Sequence, residues 1–219
     1  MSIAASSEPP ILEIPPGSVG GPFDFRALFG NEHAVEIEIG VGKGRFLLAQ
    51  AAARPDVNFL GIEWSLKYLR VAKERATRPG LTNVRLYRAD ARHVLEALVP
   101  DRSVTRVHVY CPDPWPKKRH HKRRLFTRES IGHIERVLVR GGYLDLSTDV
   151  RAYFDEIRAL VPQTSGLCEA EDPLFPTASA LGRTSYEAKY LGAGRVIHRV
   201  SYRRHGISTM ISPASIRTA

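Results

Sequence analysis

From His33 onward, short β-branched runs alternate with stretches of helical period, and this alternation narrows the possible architectures more than any other feature of the chain. Residues 34–39, 57–62, 83–89, 104–110 and 143–147 read as strands. Between them the helical stretches show one apolar face each. After Ser65 that face carries Leu66, Leu69, Ala72 and Ala76, and after Arg124 it carries Ile131, Ile134 and Leu138. Successive parallel strands need a long crossover, and a helix is the usual one. The pattern therefore predicts an α/β fold of Rossmann-like type, a mostly parallel twisted sheet with helices on both faces. Residues 195–202 set Val196, His198 and Val200 against Ile197 and Arg199, and read as a late, antiparallel strand. Ligands of such sheets bind at the carboxyl ends of the strands.

The 219 residues suffice for one large domain, and 43% hydrophobic with 25% charged residues is a globular composition. Residues 1–22, rich in Ser, Pro and Gly, read as a loosely held arm, residues 23–205 as a single domain and residues 206–219 as a tail. The first cation is Arg26, and Pro9, Pro10, Pro15 and Pro16 interrupt the apolar residues before it, so no signal peptide is expected. No run approaches the roughly eighteen apolar residues that span a bilayer. Cys111 and Cys168 form neither a disulfide framework nor a zinc motif, and a cytoplasmic protein is expected. Lys plus Arg number 32 against 23 Asp plus Glu, a net charge of +9 that favours a polyanionic partner such as nucleic acid.

The first strand runs into Glu38-Ile39-Gly40-Val41-Gly42-Lys43-Gly44, and a helical pattern opens at Arg45. Glycines there let the backbone turn tightly and approach a ligand closely; a ligand-free turn is the plainer alternative. The dinucleotide fingerprint would need its third glycine at position 45, where Arg45 stands, and Glu38 would repel a phosphate. S-adenosylmethionine carries no phosphate but has an ammonium and a sulfonium, and suits that carboxylate. The second strand ends at Glu63, about twenty residues beyond the glycines, where an acid can take both ribose hydroxyls. The third ends near Asp90, placed to meet an adenine edge. Glu63 could instead be a plain exposed residue before Ser65, and Asp90 the cap of a helix from Ala91.

The fourth strand runs into Cys111-Pro112-Asp113-Pro114-Trp115-Pro116 and then Lys117-Lys118-Arg119-His120-His121-Lys122-Arg123-Arg124. Three prolines in five positions prevent strand or helix from continuing and hold Asp113 on a stiff loop. Trp115 is either a core plug or a stacking surface. The basic run adjoins the pocket, which suits contact of Lys118, Arg119, Lys122 and Arg123 with phosphates; a solvated surface is the alternative.

With these residues in place, the chain resembles the bacterial tRNA (guanine-N7)-methyltransferase family of class I S-adenosylmethionine-dependent enzymes. Gly141-Gly142, Thr148-Asp149 with Tyr153, and Thr184-Ser185-Tyr186-Glu187 fall where that family keeps corresponding elements, and the resemblance spans roughly residues 25–204. Cys111, where an aromatic residue is expected, and Glu36, in a strand otherwise apolar before Glu38, depart from the pattern. The resemblance implies methyl transfer from S-adenosylmethionine to guanine N7 at position 46 of the tRNA variable loop. It implies cofactor contacts at Glu38, Gly40, Gly42, Glu63, Asp90 and Asp113, and substrate contacts at Lys117, Asp149, Thr184, Ser185, Tyr186 and Glu187. Asp113 belongs to both groups and is the expected catalytic residue. Asp149 also reads as a cap for a helix from Val150. Guanine N7 carries a lone pair and no proton, so positioning and charge management are needed rather than a base. No metal is expected, because no His and carboxylate cluster has ligand spacing and His120 and His121 sit in a cationic run. A monomer and a homodimer are both compatible with the sequence. A non-catalytic RNA-binding protein on the same fold, or methylation of another nucleic acid or of protein, is the competing reading.

Overall fold

A computed structural model describes residues 13–14, 20–77, 80–171 and 184–205. Among these residues eight strands form one sheet: β1 (Glu13–Ile14), β2 (Ala34–Ile39), β3 (Val57–Ile62), β4 (Val84–Tyr87), β5 (Val104–Tyr110), β6 (Leu138–Thr148), β7 (Leu167–Glu169) and β8 (His198–Arg204). Their spatial order is β1-β4-β3-β2-β5-β6-β8-β7. Strands β1 to β6 pair in parallel, and β8 runs antiparallel to both β6 and β7. The chain winds outward from β2 through β3 to β4, then returns to place β5 and β6 on the other side of β2. Strand order thus reverses between β2 and β5, and a crevice opens at the carboxyl ends there. Glu13 and Ile14, within the segment read as an arm, extend the sheet beside β4. Residues 206–219, read as a tail, lie outside the described residues.

Strands β2, β3 and β5 have the expected bounds, and β4 is shorter than expected. Strand β6 begins five residues before the expected start at 143 because its register shifts between Val104 and Arg106 of β5, opposite Gly141 and Gly142. Gly141 has φ 80°, and a Cβ on Gly142 would lie 2.9 Å from the Thr105 carbonyl oxygen. This pair of glycines is a bulge, and a bulge breaks the period of two by which a strand is recognised. Strand β7 has three residues, too few for a periodic signal. The expected alternation across β8 does not hold. Val196 is 68% exposed and precedes the strand, whereas the consecutive Val200, Ser201 and Tyr202 are all buried, so both faces of β8 are covered there.

Helices α1 (Phe25–Phe29), α2 (Arg45–Ala53), α3 (Leu66–Thr77), α4 (Ala91–His93), α5 (Arg128–Val137), α6 (Arg151–Thr164) and α7 (Ser185–Gly192) connect or flank the strands. Helix α4 continues as a wider turn over Val94–Leu98. Helix α3 buries Leu69, Ala72 and Ala76, the face its periodicity marks. Helix α5 starts at a capping box between Thr127 and Ser130 and buries Ile131, Ile134 and Val137, after which Leu138 enters β6. Short α1 is fixed by Asp24, which accepts from the Ala27 amide, and by Gly30 in a left-handed conformation.

The two faces of β2 differ. Val35, Ile37 and Ile39 join the main core with Val107, Val109, Leu144 and Leu146. A second apolar cluster forms where α2 and α3 meet β3 and β4, around Leu47, Phe59, Leu69 and Leu86. Gly61 lies in that contact, where a Cβ would stand 2.7 to 2.8 Å from Val41, Leu47 and Leu86. The remaining face of β2, β5 and β6 carries Glu36, Glu38, Arg106, His108, Asp145 and Ser147, all buried. This polar strip leads to the crevice.

Candidate active site

The glycine turn after β2 separates into two kinds of residue. Gly44 packs against α3, where a Cβ would meet Ala72 at 3.0 Å. Gly40 and Gly42 have φ of 77° and 53°, conformations that disfavour any side chain, yet a Cβ on either would meet nothing within 4 Å among the described residues. They shape the backbone and leave space open before it. Glu63 ties this turn to the end of β3: Oε2 accepts from the Gly42 amide at 2.8 Å and Oε1 from the Ser65 amide at 2.7 Å. A carboxylate has about four acceptor sites, so two remain for hydroxyl donors. Trp64, immediately beyond, is 71% exposed, a surface that strand periodicity does not mark.

Glu38 is 1% exposed, and its Oε2 has no hydrogen-bond partner among the described residues. Burial pushes its carboxyl up to about 8, with the charges of Glu187 and Glu63 adding to the rise and that of His108 opposing it. An orphaned buried carboxyl oxygen at an open glycine turn is an acceptor in want of a cationic donor.

Asp90 caps α4, taking the Arg92 amide at 2.9 Å, and grips the Arg92 guanidinium at 2.7 and 3.2 Å. The Arg92 hydrogen bond holds its carboxyl below the ordinary value. Asp90 and Arg92 line a cavity of about 280 Å³ with Glu96, Glu129 and His133. Ligand atoms of those last three lie within 4.8 Å of one another. The linear spacing hid this grouping because Glu96 comes from the turn after α4 and the other two from α5. Arg92 borders the same cavity, and its positive charge opposes a cation there.

Beyond β5, Cys111 and Trp115 have φ of 49° and 41°, a left-handed conformation that costs a non-glycine residue about 1 to 3 kcal/mol. The Cys111 amide donates to the Ser147 carbonyl at 2.7 Å, which pins the loop to β6. Burial raises the Cys111 thiol to about 12, so it stays protonated. Asp113 is exposed and makes no hydrogen bond or ion pair to another described residue. Trp115 is half-buried, with the Arg123 guanidinium 4.9 Å above its ring and the His120 ring edge-on at 5.8 Å. It is a clamp between the loop and the basic run, neither a core plug nor a bare stacking surface. The run itself forms a short 3₁₀ helix, Lys118–Arg123, with Lys117, Lys118, Arg119, Lys122 and Arg123 exposed. Arg124 turns inward, donating to the Pro114 carbonyl at 2.7 Å and pairing with Glu156.

Helix α7 closes the third side. Thr184 and Glu187 form a reciprocal capping box, with Oγ1 accepting from the Glu187 amide at 3.1 Å and Oε2 from the Thr184 amide at 2.9 Å. Oε1 of Glu187 accepts from the Ser147 hydroxyl at 2.8 Å and from Arg199 at 3.1 Å. These two residues therefore dock α7 onto β6 and β8. Tyr186 is 43% exposed, and its hydroxyl lies 3.4 Å from that of Tyr68 on α3. The side chain of Ser185 lies outside the described residues. Asp149 pairs with Arg195 at 2.6 Å, and Arg195 covers the Tyr190 ring at 4.7 Å. It does not cap α6, whose N-cap is Val150. Ser147 and Arg199 had no sequence signal, because the pairing of β6 with β8 brings them to Glu187, and Arg195 had none because it reaches Asp149 from the loop before β8.

The family model described as a putative methyltransferase matches residues 32–200, which include the glycine turn, the strand-end acids and the Pro-Trp loop. A tRNA (guanine-N(7)-)-methyltransferase of Syntrophotalea carbinolica is 35% identical over 193 residues, covering 86% of this chain and 82% of that protein. One of Geobacter metallireducens is 34% identical over 191 residues, covering 86% and 90%. The chain belongs to the tRNA (guanine-N7)-methyltransferase family. Among solved structures, the 16S rRNA methyltransferase KamB superposes with a TM-score of 0.62 at 16% identity, covering 84% of this chain and 95% of that one. At such identity the likeness is one of fold, and the fold is that of class I methyltransferases. S-adenosylmethionine is the methyl donor of this family. The residues present fit it, since the orphaned Glu38 oxygen suits its ammonium and Glu63 retains acceptor sites for its ribose.

Proposed function

We propose that this protein transfers the methyl group of S-adenosylmethionine to N7 of guanine at position 46, in the variable loop of tRNA. The observation that carries the reading is Glu38, a buried carboxyl with an unpartnered oxygen beside glycines that leave open space. The names of the homologous enzymes supply the acceptor, and the exposed basic helix beside the same crevice supports a polyanionic substrate.

When bound, the cofactor supplies a methyl group on a sulfonium, an electrophile that needs only an aligned lone pair. Glu38 accepts from the ammonium, and Glu63 accepts from ribose hydroxyls with the sites its two amide bonds leave free. Asp90 contacts the adenine edge from a position its cap and Arg92 already fix. Asp113, rigid and solvent-facing, accepts from guanine N1–H and N2–H, which orients N7 and offsets the positive charge that methylation places on the ring. Lys117, Asp149 and Tyr186 border the base site, with Thr184 and Glu187 holding α7 in place. Lys118, Arg119, Lys122 and Arg123 hold phosphates. No step needs a metal or a proton acceptor. Residues 23–205 act as one domain, to whose sheet Glu13 and Ile14 add an edge strand. Among the described residues no helix is long and apolar enough to cross a membrane, and a tRNA substrate supports a cytoplasmic reaction.

Calorimetry with S-adenosylhomocysteine and with a nicotinamide dinucleotide tests the pocket. Binding of the first and not the second is expected. Tight dinucleotide binding without response to S-adenosylmethionine or S-adenosylhomocysteine overturns the assignment, and no binding of any of them favours the non-catalytic RNA-binding alternative.

A further inference from the structure

Under the glycine turn, the sheet carries ionisable groups where a sheet buried on both faces usually carries Val, Ile or Leu. Register places Glu38 of β2 beside His108 of β5, and His108 beside Asp145 of β6. His108 is buried, with both ring nitrogens engaged. Nε2 lies 2.9 Å from Glu36 Oε2, and Nδ1 lies 3.3 Å from Asp145 Oδ2 and 2.9 Å from the Tyr110 hydroxyl. Phe46 of α2 covers the ring at 4.8 Å. A neutral imidazole could donate from Nε2 to Glu36 and accept at Nδ1 from the Tyr110 hydroxyl, but its Nδ1 lone pair would then also face Asp145 Oδ2 at 3.3 Å, whereas the imidazolium offers an N–H to each carboxylate.

The charges around it do not cancel on their own. Arg54 grips Glu36 at 2.7 and 2.8 Å, and Arg106 lies 2.6 Å from Asp145. Glu36 and Asp145 supply two negative charges against three positive ones on Arg54, Arg106 and His108. An ionised Glu38 on the adjacent strand makes these groups neutral together. Glu63 and Glu187 also face Glu38 and disfavour its charge.

We propose that His108, held as an imidazolium between Glu36 and Asp145, is a positioning residue for the cofactor site, its charge favouring the ionised Glu38 that receives the cofactor's ammonium. This inference rests on the proposed role of Glu38. Burial alone would lower the His108 value, but the hydrogen bonds and negative charges of Asp145 and Glu36 together outweigh burial and raise it. Glu38, at about 8, titrates near neutrality, so the loss of one neighbouring cation changes how much of it is ionised at working pH.

The test is His108→Gln, with S-adenosylhomocysteine binding measured by calorimetry from pH 6.5 to 9. Affinity at pH 7 should fall about tenfold or more, for roughly one unit of displacement in Glu38. The deficit should shrink towards pH 9, where hydroxide ionises Glu38 without help. At about pH 8 to 8.5, where Glu38 titrates, buffers of differing ionisation enthalpy should show more protons released on binding by the variant, and affinity for tRNA alone should not change. Unchanged affinity and proton release, or a deficit equal at every pH with the wild-type proton count, overturns the proposal. Wild-type protein that binds no S-adenosylhomocysteine overturns the proposed function itself, so the two failures are distinguishable. Should the variant not fold, ¹⁵N NMR of His108 in the wild-type protein decides: an imidazolium at pH 7.5 is expected, and a neutral ring contradicts the inference.

Discussion

Glu38 is the residue at which function and stability oppose each other. Its carboxyl titrates near 4.5 when exposed and about 8 when folded, so the folded chain binds its proton more tightly. The sign follows: below pH 4.5 the burial costs nothing through ionisation, and the cost grows as pH rises to 8, reaching the order of a few kcal/mol. Glu38→Gln should therefore raise the melting temperature of the ligand-free protein, by a few degrees more at pH 8.5 than at pH 6, while abolishing S-adenosylhomocysteine binding. Scanning calorimetry at both pH values checks this, and a gain independent of pH would show that Glu38 is not buried as described. Glu36 behaves oppositely. Burial raises it, but the bonds and charges of His108 and Arg54 prevail and bring it to about 2, so its contribution is present above pH 4.5 and fades as pH falls towards 2. At Asp113, which braces nothing among the described residues, Asp113→Asn should slow single-turnover methylation about 10²- to 10³-fold with melting and tRNA affinity nearly unchanged. A near wild-type rate removes Asp113 from the mechanism. Glu38, Glu63 and Asp113 were legible as single residues because each ends a strand or stands among prolines. The partnership of Glu36, His108 and Asp145 was not, since it arises from pairing three strands far apart in sequence. In Thr184-Ser185-Tyr186-Glu187 the spacing of Thr and Glu is itself a helix-capping signature, and the structure uses it so.

At the scale of elements, the loop and 3₁₀ helix after β5 act as one unit, because Arg123 covers Trp115 and Arg124 reaches back to Pro114. Its exposed cations are held in a defined place beside the crevice. Replacing Lys118, Arg119, Lys122 and Arg123 together by Ala should weaken tRNA binding and flatten its dependence on salt, by just under one unit of log–log slope for each phosphate no longer neutralised. Cofactor affinity should stay within about twofold, since none of the four touches Glu38 or Glu63 in this structure. Filter binding across a salt series measures it, and an unaltered slope would make the run a solvated surface. Elements with many buried positions per turn, such as α3 and β5, were readable from periodicity. Strand β7 and helix α1 were too short to carry a period, and the Gly141-Gly142 bulge hid the start of β6.

For the whole molecule, repeated β-α order foretold the parallel sheet, and the reversal of strand order between β2 and β5 brings the ends of β2, β3, β5 and β6 to one crevice. The net charge of +9 gains meaning there, because part of it is carried on the helix that adjoins this crevice. How α7 covers it was not legible, because its docking depends on Glu187 meeting Ser147 and Arg199 across the fold. The central claim is tested most directly by incubating purified protein with unmodified tRNA transcript and S-adenosylmethionine and mapping the methylated nucleotide by mass spectrometry. The account predicts one N7-methylguanosine, at position 46, and none when the cofactor is omitted; tRNA without N7-methylguanosine, or a methyl group on another base, would contradict it.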